Sequence, residues 1–110
     1  MDGMPGNAAS EPLGVMCQQW LHSHEEDSPG VEVYRPRDFP FPRARGRGGL
    51  EFRPDGSFVR IAIGRGDARE PHEGRWAMEG PEVVEVQEPQ RARRLRIVSL
   101  DSDRLVLAPE

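Results

Sequence analysis

From Val15 onward, short apolar and β-branched runs alternate with turn signals at roughly ten-residue spacing, the pattern of an all-β barrel or sandwich. The runs predict strands over Met16 to Glu25, Val31 to Arg35, Gly49 to Arg53 and Ser57 to Ile63. Four more follow over His72 to Glu79, Glu82 to Gln87, Arg93 to Leu100 and Arg104 to Ala108. Pro54-Asp55-Gly56, between two alternating runs, is the clearest hairpin signal. The stretch with prolines at 36, 40 and 42 and glycines at 46, 48 and 49 reads as a loop or edge, because proline has no N–H to give a ladder. No segment carries a 3.6-residue apolar repeat of useful length. Residues 12–21 offer at most one helical turn, weakened by Pro12 and Gly14.

Eight consecutive strands on short links favour antiparallel pairing between sequence neighbours. An open sheet would leave an apolar face wet and two edges unpaired, whereas closure removes both problems. The expected architecture is an eight-stranded antiparallel meander closed into a small barrel, with a two-sheet β-sandwich as the alternative. Residues 15–110 form this single domain, and a Gly-, Pro- and Ala-rich lead over residues 1–14 is expected to be disordered. Alternation of side chains sorts each strand into two faces. It predicts an interior of Trp20, Leu50, Phe52, Trp76, Met78, Leu95, Ile97, Leu105 and Leu107. Between Phe58 and Val59, periodicity does not choose. Nor does it say whether the barrel is filled or hollow.

Composition narrows the classes. A chain of 110 residues has room for one core, and its one cysteine, Cys17, forms no internal disulfide or thiol metal pair. Cys17 reads as a small hydrophobe rather than a nucleophile. No apolar run nears the roughly 20 residues of a membrane span. The lead lacks the basic start and apolar stretch of a secretory signal, so the expected location is the cytoplasm. There is no lysine. Before Arg35 stand six acids and no arginine, whereas Arg35 to Arg75 holds ten arginines against six acids. The net charge of −4 argues against nonspecific nucleic-acid binding, yet the central stretch can receive an anion.

A tryptophan in the first strand, a later Gly74-Arg75-Trp76 and an Asp55-Gly56 hairpin resemble the small bacterial lipocalin-like domains of the calycin type. The run Trp20 to Asp27, with Tyr34-Arg35-Pro36 and Arg45-Gly46-Arg47, is similar to a set of short uncharacterised bacterial proteins in that group. The resemblance covers residues 15–108. It implies a meander barrel whose open end admits a small, mostly apolar ligand.

Two constellations carry candidate chemistry. On a strand, His22-Ser23-His24 would point both imidazoles to the face of Trp20, a spacing that can give two ligands to one metal ion. The third weak candidate is His72, so no metal and no cofactor is expected. The cupin pattern is broken, since Ser28 and Pro29 stand where its glutamate would follow and no histidine comes after His72. Without a metal, His22 or His24 can serve as general acid or base, with Tyr34 and Arg35 orienting a substrate.

The second constellation is Tyr34 to Gly49, where Phe39 and Phe41 are costly to leave in water and are expected to cover one barrel end. Its arginines either receive a ligand anion or pair with Glu25 to Asp27, the pairing being favoured. The Arg-Gly repeat is too short for an RNA-binding tail, and Gly64-Arg65-Gly66 is a turn. The expected function is binding of a small apolar or amphipathic molecule, anionic ones included, near Trp20, His22, His24, Tyr34, Arg35 and Trp76. The alternatives are a small cavity enzyme of isomerase or cyclase type and a protein-interaction module. The expected partner is a small molecule, neither nucleic acid nor membrane, in an oligomeric state the residues leave open.

Overall fold

The computed structural model describes residues 14–44 and 46–110. The disordered lead expected over residues 1–14 therefore lies outside the described residues except for Gly14, which shares one helical turn with Val15 and Met16. Eight strands follow: β1 Gln19–His22, β2 Glu32–Pro36, β3 Gly49–Phe52, β4 Ser57–Ile63, β5 Arg69–Met78, β6 Val83–Glu88, β7 Arg91–Asp101 and β8 Arg104–Pro109. All pairings are antiparallel and the sheet closes on itself. The protein is an all-β, eight-stranded barrel, not a two-sheet sandwich.

From β3 to β8 each strand pairs with its successor, as a meander requires. The first hairpin is inserted the other way round. β1 lies between β2 and β3, and β2 closes the ring against β8. Both β2 and β3 run antiparallel to β1, hence parallel to each other. The chain leaving Pro36, opposite Trp20, must therefore return along β1 before Gly49 can pair with Leu21. That return is the proline-rich strap of residues 37–44 and 46–48, which runs along the barrel wall. Gly49 permits the approach, since a Cβ there would stand 2.4 Å from the Trp20 carbonyl oxygen.

Several strand boundaries differ from expectation, two of them for clear local reasons. β1 ends at His22 because the following residues hydrogen-bond among themselves: Glu26 N–H donates to Ser23 O and Asp27 N–H to His24 O, making a 3-10 turn over His24–Glu26. β5 begins at Arg69, three residues before the expected start at His72, and carries Pro71 within it. Trp76 N–H donates to Gly56 O on the β4 side. Alternation then turns the backbone groups of Pro71 and Glu73 away from β4, so the missing proline N–H interrupts no β4–β5 bond.

The interior is a hydrophobic core. Met16, Trp20, Tyr34, Leu50, Phe52, Phe58, Val84, Val86, Leu95, Leu105 and Leu107 are buried together, with Trp76, Met78, Ile97 and Leu100 packed against them. Phe52 is in ring contact with Phe58 and Trp76 at 5.2 and 5.4 Å. Phe58 thus faces inward. Val59 is buried as well, so β4 is covered on both faces at this level.

Candidate functional site

The inward positions change character along the barrel axis. At the level of Trp20, Phe52, Phe58 and Leu105 they are apolar. One register step towards the end marked by His22 six strands turn polar, while β3 and β8 keep the buried Leu50 and Leu107. Alternation from the buried positions places His22, Glu32, Arg60, His72, Glu88 and Arg93 on that inner face, beside the Tyr34 hydroxyl.

On one side of this end His22 pairs with Tyr34 across the β1–β2 ladder, and their rings stack with centroids 5.1 Å apart. The Asp27 carboxylate holds both the ring and the neighbouring strand, its Oδ2 lying 2.9 Å from His22 Nε2 and its Oδ1 accepting Val33 N–H at 2.9 Å. The Tyr34 hydroxyl donates to Glu32 at 2.9 Å. Burial, and then the Glu32 charge, push the Tyr34 phenol far above its ordinary range, so it stays a hydrogen-bond donor.

Of the other expected site residues, Trp20 is fully buried and donates its indole N–H to Met16 O at 3.0 Å. Trp76 donates to Arg53 O at 2.8 Å and edges Phe52. These two belong to the core. His24 corrects the expected H-x-H geometry: it sits in the 3-10 turn rather than on β1, exposed, its ring edge-on to His22 with centroids 6.1 Å apart. His72 lies on β5, three strands round the ring from β1. Among the described residues no group of three or more His, Cys, Asp or Glu is arranged to hold a metal ion.

Arg35 points outward and forms a clasp. Its Nε and Nη2 donate to Glu26 at 2.8 and 2.7 Å, while Arg47 Nη1 donates to Glu25 at 2.8 Å and to the His22 carbonyl at 3.1 Å. Phe39 lies under the Arg35 guanidinium and Phe41 under Arg47, at 4.6 and 4.4 Å from the ring centroids. The strap is thus tied to the 3-10 turn by two arginine–glutamate pairs on the barrel wall. Arg45 lies outside the described residues.

These pairs hold both carboxyls low, from 4.5 to about 2, chiefly through the hydrogen bonds from Arg47 to Glu25 and from Arg35 to Glu26. A depressed carboxyl contributes stability that is full above its unfolded value and lost as pH falls through the folded one. A carboxyl carbon NMR titration is expected to give midpoints near 2 for Glu25 and Glu26, with the Phe39 and Phe41 ring shifts moving together with them. Midpoints near 4.5 would show that the clasp does not form in solution.

On the other side of the polar end only His72 was singled out in the sequence, not the Arg60–Glu88 pair beside it. Arg60 on β4 reaches over β5 to Glu88 on β6, donating from Nε and Nη2 at 2.8 and 2.9 Å. Gly74 lies beneath this approach, where a Cβ would meet Gln87 O at 2.1 Å and Glu88 Cγ at 3.2 Å. The available signal was parity: Arg60 shares a face with Phe58, and Glu88 with Val84 and Val86.

Comparison with protein-family models, curated proteins and solved structures returns no match. The barrel and its side chains carry the functional argument alone.

Proposed function

We propose that the protein is a lipocalin-like binding barrel that takes a small amphipathic molecule at its polar end, between His22, Tyr34 and Arg93. The observation behind this reading is the switch of the inner face from aromatic and aliphatic to polar side chains within one register step on six of the eight strands. A fold needing only a core has no use for inward polar groups, which cost free energy unless paired. The large side chains buried at the barrel's centre favour a ligand seated against its end. The resemblance to small bacterial calycin-type proteins agrees with such a role.

The test uses anilinonaphthalene sulfonate, an amphipathic probe, followed by amide NMR shifts. Saturable shifts at Ser23, Val33, Tyr34 and Arg93 are expected, with binding weakened severalfold in His22→Ala. Shifts confined to other parts of the barrel, or unchanged affinity in that variant, would overturn the proposal.

A second reading rests on Asp27. A carboxylate bonded to one imidazole nitrogen fixes the ring and leaves the other nitrogen to exchange a proton, the arrangement of a general acid–base pair. Under this reading a molecule that copurifies with the protein is turned over by the wild type and not by His22→Gln.

A further inference from the structure

We propose a separate seat for a small oxyanion, the carboxylate or phosphate group of a small molecule, in the groove between β5 and the β6–β7 turn. It requires nothing of the His22 cluster. The groove exists because two ladders on β5 stop at different places. Pairing with β4 continues down to Arg69 opposite Ile63, but pairing with β6 stops at Arg75 opposite Gln87. Pro89 follows Glu88 and has no N–H with which to extend the ladder. The chain turns away there, leaving an open groove of about 500 Å³ walled by Pro71, His72 and Glu73 on one side and by Pro89, Gln90 and Arg91 on the other. That volume suits a small molecule.

The floor is the Arg60–Glu88 pair. Both Glu88 oxygens accept from Arg60, and the carboxylate side chain is only 7% exposed, so its charge is spent locally. Arg60 uses Nε and Nη2 in this pair and keeps the Nη1 donors for the groove it lines. Arg91, His72 and Gln90 make no hydrogen bond or ion pair to the other described side chains. Glu73 contributes in a divided way. Its N–H lies on the edge of β5 that β6 has vacated, while its carboxylate belongs to the outer face.

Guanidinium, imidazole and backbone donors therefore converge on a space whose buried acid is already neutralised. Peptide strand addition along the same edge is disfavoured, because Pro71 supplies no N–H where an added strand would seek one. Small oxyanions need only a few donors and fit the short opening.

Inorganic phosphate and acetate are the probes, each titrated into the whole protein with sodium chloride at matched ionic strength as the control. Saturable amide shifts at His72, Glu73, Gln90 and Arg91 are expected, and Arg91→Gln should weaken binding about tenfold through loss of a charge-assisted contact. Response to phosphate alone assigns the seat to phosphate, response to acetate alone to carboxylate, and response to both to either group. Chloride reproducing the shifts, or unchanged binding in Arg91→Gln, overturns the proposal. Arg60→Gln risks the fold, so the paired variant R60Q/E88Q, which keeps shape without charge, tests the floor and should also weaken binding. Arg91→Gln leaves the anilinonaphthalene sulfonate shifts at Ser23 and Val33 in place, which separates this site from the one at His22.

Discussion

Trp20→Ala is expected to cost about 3–5 kcal/mol of folding free energy, the range for truncating a buried aromatic residue. Trp20 is fully buried among Met16, Leu50 and Leu105, and its indole N–H satisfies the Met16 carbonyl. Truncation removes apolar contact, opens a cavity and takes away one of the two donors to that carbonyl, leaving it Gln18 N–H. Against a total stability of about 5–15 kcal/mol the loss is large. Urea unfolding followed by circular dichroism measures it, and Trp76 remains as a fluorescent reporter. A loss under about 1 kcal/mol would mean that Trp20 borders a space rather than filling one, which would restore it as a ligand contact.

Arg60→Met is expected to be the most damaging single charge removal, by about 2–4 kcal/mol at neutral pH. Breaking a buried pair strands the remaining ion, and the figure is reduced here because Arg60 is 23% exposed while Glu88 is 7% exposed. The sign with pH is distinctive. In the wild type Arg60 holds the Glu88 carboxyl below its ordinary 4.5, so the pair's contribution is full above that value and lost as pH falls through the lowered one. In Arg60→Met, burial without a partner pushes the same carboxyl up, and protonation relieves the penalty. The stability gap between wild type and variant should therefore narrow towards pH 4. A gap constant from neutral to acid pH would place the cost in lost packing rather than charge. A double-mutant cycle with Glu88→Gln isolates the coupling.

The strands of the meander were legible because their turns are chemically marked. Pro54-Asp55-Gly56 and Asp101-Ser102-Asp103 pin hairpins whose alternation then assigns faces. All nine interior residues read from alternation lie in the core or against it. Tyr34, Phe58, Val84 and Val86 join them, and these were less visible because β2, β4 and β6 carry apolar side chains on both faces. The end of β1 was not legible: Ser23 looks like one more strand residue, yet its backbone and hydroxyl turn the chain through contacts with Val33 and Glu26. The Arg60–Glu88 pair was hidden for another reason. A charged residue in a strand is normally taken as outward, and only the pairing of β4, β5 and β6 shows that these two meet across Gly74.

The reversed first hairpin has a consequence for how the chain acquires its shape. Glu32, Val33 and Tyr34 find their outer neighbours only in Leu107, Val106 and Leu105, some seventy residues along the chain. Nothing translated before β8 can stand in for it, so the nascent β2 leaves the ribosome with one edge bare and stays so until the final strand is made. Loop closure over that span sets a slow, late step, during which β2 is open to pairing with the wrong strand or another chain. The 3-10 turn clasped by Arg35 and Arg47 covers only the opposite edge of β2, where Val33 O accepts from Ser23 N–H and Val33 N–H donates to Asp27, so it leaves the waiting edge open.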